Sequence, residues 1–154
     1  MTPAINLAKD AQIRFTTHRY QSDPSAPSYG LEAADKLNVQ PDSVFKTLVT
    51  ECDGQLIVAI IPVTHSLSLK HVAKAVNAKK ATMANPELVA KKTGYVMGGV
   101  SPLGQKTSLV TLLDTRAQTL NTIYISAGKR GLEIALAPKD LQNLTQATLV
   151  DLCV

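Results

Sequence analysis

Tryptophan is absent from this 154-residue chain, and all aromatic residues together make up 4% of it. That argues against a nucleic-acid surface built from rows of base-stacking rings. Cysteine is scarce as well: Cys52 and Cys153 stand far apart, without Cys-x-x-Cys spacing. No disulfide framework is expected, and a reducing cytoplasmic setting is the default. The three histidines, His18, His65 and His71, lack metal-ligand spacing. The last two fall on different faces of any helix carrying both. No Gly-x-Ser-x-Gly elbow occurs. Cys52 lies by a turn between acidic residues, which favours its protonated, unreactive form. Long apolar runs are missing too. The longest, Leu56 to Ile61, is far too short to cross a bilayer, so no membrane association is expected. The opening Met1-Thr2-Pro3-Ala4 has neither the basic region nor the apolar stretch of a secretory leader. An enzyme made from this chain is expected to work without metal, cofactor or protein nucleophile.

The rest of the composition describes a soluble globular protein. Hydrophobic residues make up 45% and charged ones 18%, enough to bury a core without staples. The length suits one domain, residues 1–154. A net charge of +4 leans mildly toward an anionic partner.

Local signals organise the chain. Thr2 as N-cap and Pro3 at N1 open a helix predicted to run to Ile13, with Ile5, Ala8 and Ala11 at helical spacing. Ser22 to Ser28 reads as an ordered loop or lid. Leu31 to Leu37 reads as a short helix closed by Asn38 and Pro41. Val44 to Thr50 and Leu56 to Ile61 flank Asp53-Gly54, an antiparallel hairpin signal. Ser68 caps a predicted helix to Ala78, and Asn85-Pro86-Glu87 opens another that Gly94 stops. Leu109 to Leu113, Thr122 to Ser126 and Leu132 to Ala137 read as strands. Pro138-Lys139-Asp140 starts a last helix, and Thr148 to Leu152 a short strand. The pattern is α+β with a mostly antiparallel sheet that closes, or nearly closes, into a barrel, with helices around it.

Three features can carry chemistry. In Val44-Phe45-Lys46-Thr47-Leu48-Val49, both faces of the strand are mainly apolar, so Lys46 is out of pattern. It must snorkel outward, pair with a carboxylate or face a polar cavity. Gly94 to Gln105 packs four glycines and a proline into twelve positions. Such a segment either presents backbone amides to an oxyanion or serves as a long structural turn. The turn Gly128-Lys129-Arg130-Gly131 either contacts phosphates or is a solvated hairpin tip. His18 with Tyr20, just before the Pro-rich loop, can line a cleft. With no nucleophile in sight, catalysis rests on positioning and electrostatic stabilisation, which suffice for a reactive ester.

Taken together, these segments resemble the YbaK family of free-standing Cys-tRNA(Pro) deacylases, related to the editing domain of bacterial prolyl-tRNA synthetase. The resemblance rests on Val44-Phe45-Lys46-Thr47-Leu48, Thr93-Gly94-Tyr95, Gly98-Gly99-Val100-Ser101-Pro102-Leu103-Gly104-Gln105-Lys106 and Tyr124-Ile125-Ser126-Ala127-Gly128-Lys129-Arg130-Gly131, in order along essentially the whole chain. It implies a barrel-like α+β fold that hydrolyses the aminoacyl ester at the 3′ end of misacylated tRNA(Pro). By resemblance, Lys46, Tyr20 and Gly98 are the catalytic positions, and Phe45, Thr47, Gly99, Ser101, Pro102, Ser126 and Glu133 bind substrate. Gly128, Lys129 and Arg130 contact tRNA, prolyl-tRNA synthetase is the implied partner, and no cofactor is needed. The chain departs from the family's usual pattern at Ala127, Leu31, Glu133 (commonly Asp) and Ala135, which bears on pocket size and amino-acid preference. Rival expectations are a deacylase for Ala-tRNA(Pro) or another small amino acid, and a non-catalytic tRNA or synthetase adaptor.

Overall fold

An aspartate and a glycine set the first hairpin. Asp53 and Gly54 both take positive φ, 51° and 82°, the conformation a two-residue turn needs to match the twist of its strands. The computed structural model, which describes residues 1–26 and 28–154, accordingly pairs β2 (Phe45–Cys52) with β3 (Gln55–Pro62) from Cys52↔Gln55 to Phe45↔Pro62. Every residue of β3 after Gln55 is buried. Its side chains alternate between two cores. Leu56, Val58 and Ile60 join Phe45, Ile125 and Ile134 in the larger one, while Ile57, Ala59 and Ile61 join Val72, Leu112 and Leu152 in the other. Each fully buried side chain of this size contributes roughly 1.5–3 kcal/mol, so β3 is the strand both layers depend on.

The helices begin where their caps dictate. Thr2 accepts from the Ile5 amide at the start of α1 (Pro3–Asp10), and Ser28 from Leu31 at the start of α2 (Tyr29–Leu37). Ser68 caps α3 (Leu69–Ala75), and Asn85 caps α4 (Pro86–Thr93), which Gly94 ends in the left-handed region. Two helices stop earlier than their sequence suggests, because Gln12 (φ 58°) and Asn77 (φ 57°) turn the chain out of helical geometry. Of the expected loop from Ser22 to Ser28, Pro27 lies outside the described residues; the flanking positions are irregular.

Two strands were not expected from the sequence, β1 (Phe15–Arg19) and β4 (Ala81–Met83). Both are short and carry exposed Thr or Met, and distant partners supply their ladder bonds. With β5 (Val110–Asp114), β6 (Ile123–Lys129), β7 (Leu132–Leu136), α5 (Pro138–Thr145) and β8 (Thr148–Val150) they form two sheets, ordered β1-β7-β6 and β4-β2-β3-β5-β8. Pairing is mostly antiparallel, as expected, with β3–β5 and β5–β8 parallel. Of a sheet expected to close or nearly close into a barrel, full closure is not reached. The sheets meet through a single bridge, Val44 to Tyr124, because β4 occupies the end of the β2 edge that closure would require. No helix among the described residues is long and apolar enough to cross a membrane.

Asp114 ties the C-terminal segment to this frame. Fully buried, it accepts hydrogen bonds from the Arg116 amide (3.1 Å) and guanidinium, the Leu152 amide (2.9 Å) and the Cys153 thiol (3.4 Å). Removing the carboxylate leaves the buried Leu152 donor unpaired. Asp114→Ala is expected to cost about 3 kcal/mol, read as a lower urea midpoint at unchanged m-value.

Candidate active site

A cavity opens where β2 loses its second neighbour. On the edge away from β3, β4 reaches only Thr50–Cys52, and β6 touches the chain just before the strand, at Val44. Five consecutive residues, Phe45 to Val49, line a cavity of about 380 Å³ between these contacts. Side chains of a strand alternate between its faces, so five in a row can share one cavity only along the strand's edge. The volume lies within the range of small-ligand sites. Tyr20, the start of α2, Gly98 and the β6–β7 residues Ser126 and Glu133 complete the wall.

Lys46 is half-buried there and has no ion pair or hydrogen bond among the described residues. Burial holds its ammonium below the usual lysine range, offset in part by Cys153. The Cys153 thiol is itself pushed up to about 11, by burial first and then by Asp114. It is neutral at pH 7, so Lys46 keeps no countercharge. Glu133 is the second unpaired group. It is 6% exposed and has no salt bridge among the described residues; burial raises its carboxyl to about 8. It faces His18 on β1 and Ser126 on β6 across the sheet. Tyr20 follows the same logic, its phenol raised to about 12 by burial and by Glu133. The Thr47 hydroxyl is buried without a partner among the described residues, a loss of about 1–3 kcal/mol to the fold.

Gly98 shows why this position lacks a side chain. Its φ is +91°, and a Cβ would stand 2.8 Å from the Tyr29 ring. The residue therefore brings bare backbone to the cavity wall, as an oxyanion or ribose contact requires.

Of the positions singled out from the sequence, Tyr20, Phe45, Lys46, Thr47, Gly98, Ser126 and Glu133 gather at this cavity, whereas seven stand outside its lining. Gly99 backs onto the main chain of Lys129 and Arg130, and Gly128 lies against the Tyr95 ring. Ser101 and Pro102 are buried within their loop, where the Ser101 hydroxyl accepts from the Leu103 amide (3.2 Å). Lys129 is exposed. The Arg130 guanidinium instead meets Glu32 at 3.4 Å and stacks 3.9 Å above Tyr29. His18 is not in the wall; it sits edge-on to Tyr124. Sequence reasoning missed Tyr29, Met83 and Met97, which line the mouth while 43%, 50% and 64% exposed. Large apolar side chains left in water beside a glycine loop were the available signal.

Comparison with known proteins places this chain in a family. The model of the aminoacyl-tRNA editing domain matches residues 23–144, and the chain belongs to that family. Within it, the chain is 39% identical over 120 residues to the "Putative Cys-tRNA(Pro)/Cys-tRNA(Cys) deacylase EbsC" of Enterococcus faecalis, covering 77% of this chain and 73% of that protein. It is 38% identical over 68 residues to a proline–tRNA ligase of Moorella thermoacetica, covering 44% of this chain and 12% of the ligase. A crystal structure described as "a putative trans-editing enzyme for prolyl tRNA synthetase" shares the fold, with a TM-score of 0.83 at 23% identity over 98% of this chain and 92% of that one.

Glu133 makes a pH signature. Its folded-state pKa, about 8, lies above the ordinary value of 4.5. The stability linked to its proton is therefore complete below pH 4.5 and is lost as pH rises toward 8, by on the order of 3 kcal/mol at neutrality. Glu133→Gln is expected to melt with the native protein at pH 5 and well above it at pH 8. Equal melting temperatures at both values would mean that the carboxyl ionises freely.

Proposed function

We propose that this chain is a trans-editing enzyme that hydrolyses the ester joining cysteine to the 3′ end of tRNA(Pro), with residues 1–154 acting as one deacylase unit. The observation that carries the reading is a cavity holding an uncompensated lysine, an uncompensated carboxyl and bare backbone, but no activated side-chain nucleophile. The EbsC relative supports it by its name, and the family by its description.

In this reading the substrate supplies the nucleophile. The cysteinyl thiol attacks its own ester carbonyl, a C–S bond forms, and the C–O bond to the 3′-oxygen breaks. The thiol proton ends on the departing 3′-hydroxyl, and water later opens the thiolactone to free cysteine. Confinement in the cavity raises the effective concentration of the thiol, a gain that reaches several kcal/mol in well-oriented systems. The Gly98 backbone and the open edge of β2 surround the carbonyl oxygen. Lys46 stabilises negative charge on the 3′-oxygen or holds the neighbouring phosphate. Glu133 takes the α-ammonium, whose positive charge draws the carboxyl into its ionised form. Phe45 and Thr47 shape the wall around the side chain, with Ser126 beside Glu133. The ribose and terminal base remain at the mouth near Met83 and Met97. The tRNA substrate supports a cytoplasmic location, and tRNA choice is assigned to association with prolyl-tRNA synthetase, a reading supported by the similarity to a proline–tRNA ligase.

Lys46→Ala is expected to lower release of cysteine from Cys-tRNA(Pro) about 100-fold or more, with an unchanged circular dichroism spectrum. Retained activity would remove Lys46 from the mechanism. The native protein assayed on Cys-tRNA(Pro) and Ala-tRNA(Pro), with and without the synthetase, separates the substrate classes. Equal turnover of the alanyl ester replaces thiol attack by water, and binding without turnover on either defines an adaptor.

A further inference from the structure

We propose that Arg130 is a positioning residue, locked by Glu32 to hold the cavity wall, and that the phosphate contact of the basic turn belongs to Lys129 alone. The inference deepens the deacylase reading, on which its kinetic test rests.

Glu32 sits in the first turn of α2 with its side chain 4% exposed. One carboxylate oxygen accepts from the Ser22 hydroxyl (3.0 Å) and the Arg130 guanidinium (3.4 Å). The other accepts from the Asp23 amide (2.6 Å) and faces the Lys36 ammonium (3.4 Å). Burial alone would raise its pKa, but the Asp23 amide, the Ser22 hydroxyl and Lys36 outweigh it and hold the group ionised. The same Arg130 nitrogen donates to the Asp23 carbonyl at 2.7 Å. The guanidinium plane lies 3.9 Å from the centroid of the Tyr29 ring.

Tyr29 passes this restraint to the site. Its ring stands so close to Gly98 that a Cβ there would meet it at 2.8 Å, and both residues line the cavity. The main chain of the turn adds two more contacts. Gly99 rests on the backbone of Lys129 and Arg130, and the Gly131 carbonyl accepts from the Tyr20 amide at 3.0 Å. One ion pair, spanning 98 residues of sequence, thus joins the segment after Tyr20, the start of α2, the basic turn and the Gly98 loop.

That arrangement commits one terminal nitrogen of Arg130 to Glu32 and Asp23, with its Nε buried. Swinging the guanidinium out to meet a phosphate would abandon a buried carboxylate, the costly step for any buried pair. Lys129, exposed and without an ion-pair partner among the described residues, carries no such constraint.

Arginine and lysine answer the two roles differently. A phosphate contact tolerates lysine as a point charge, whereas planar stacking with simultaneous donation does not. Arg130→Lys, Arg130→Ala, Glu32→Gln and Lys129→Ala are assayed in the full chain on Cys-tRNA(Pro) between about 50 and 200 mM salt, each checked by circular dichroism and melting. Both Arg130 variants and Glu32→Gln are expected to lose roughly tenfold or more in kcat with the salt slope of KM intact. The double variant Glu32→Gln, Arg130→Lys should be no worse than either single one. Lys129→Ala should raise KM and flatten its salt slope with kcat preserved. A native-like Arg130→Lys, with Arg130→Ala losing salt slope instead of kcat, overturns the proposal. An amide NMR spectrum reads the wall without substrate. Arg130→Lys should displace the Gly98 and Tyr29 resonances and Lys129→Ala should not. That arm holds even if the native protein deacylates nothing, an outcome that defeats the functional reading alone; unmoved resonances defeat the positioning role.

Discussion

A β-strand has two edges, and β2 fills only one of them with a full-length partner. β3 takes every residue of one edge, while the other is divided between three residues of β4 and a single bridge toward β6. An unpaired edge is normally a liability, because its free amides and carbonyls offer a template for pairing with another chain. Here the exposed groups face a cavity instead of bulk solvent or a neighbouring molecule. The same gap that prevents barrel closure creates the site. β6 departs from regular pairing with β7 at its register shift between Ser126 and Lys129, the kind of irregularity that bends a strand.

The gap stays open because other elements brace it. β3 anchors one side between two cores. On the far side, Tyr29 is held between the Gly98 loop and the Arg130 guanidinium. Rigid packing on one flank and charge-assisted contacts on the other together hold the cavity's walls.

Much of this was legible in the sequence wherever the cause is local. Asp53-Gly54, Thr2-Pro3, Ser68, Asn85 and Gly94 each act on residues close by in the chain, and their elements begin or end there as expected, although the helices opened by Thr2-Pro3 and Ser68 are shorter than their sequence suggests. β1 and β4 were not legible, since Thr16, Thr17 and Met83 have no apolar alternation and only remote partners make them strands. The division into two sheets was hidden for the same reason. At the site, periodicity marked Lys46 as misplaced but left its surroundings open, and the lysine proved to lie on an edge that faces a cavity. Arg130 read as the tip of a basic turn, because its partner Glu32 lies in a helix far away in the chain. Glu133 drew attention only through family resemblance; by itself it is one charged position in an otherwise apolar strand.

The two unpaired ionisable groups at the cavity fit together as a design. Lys46 and Glu133 line the same space, and no salt bridge joins them among the described residues. Had they met, the pair would have satisfied itself, and a ligand would have had to break it before binding. Kept apart, each remains costly to the empty fold. Lys46 is held below its normal pKa, and Glu133 well above its own. A ligand carrying a cation and an anionic or anion-developing oxygen a few bonds apart relieves both costs at once. An aminoacyl ester on a ribose is such a molecule, with its ammonium at one end and its scissile oxygen beside a phosphate at the other. In the proposed reaction the negative charge appears at the Lys46 end only as the ester breaks, so that part of the relief falls on the transition state instead of the bound substrate, which is the condition for electrostatics to accelerate a reaction and not merely tighten binding.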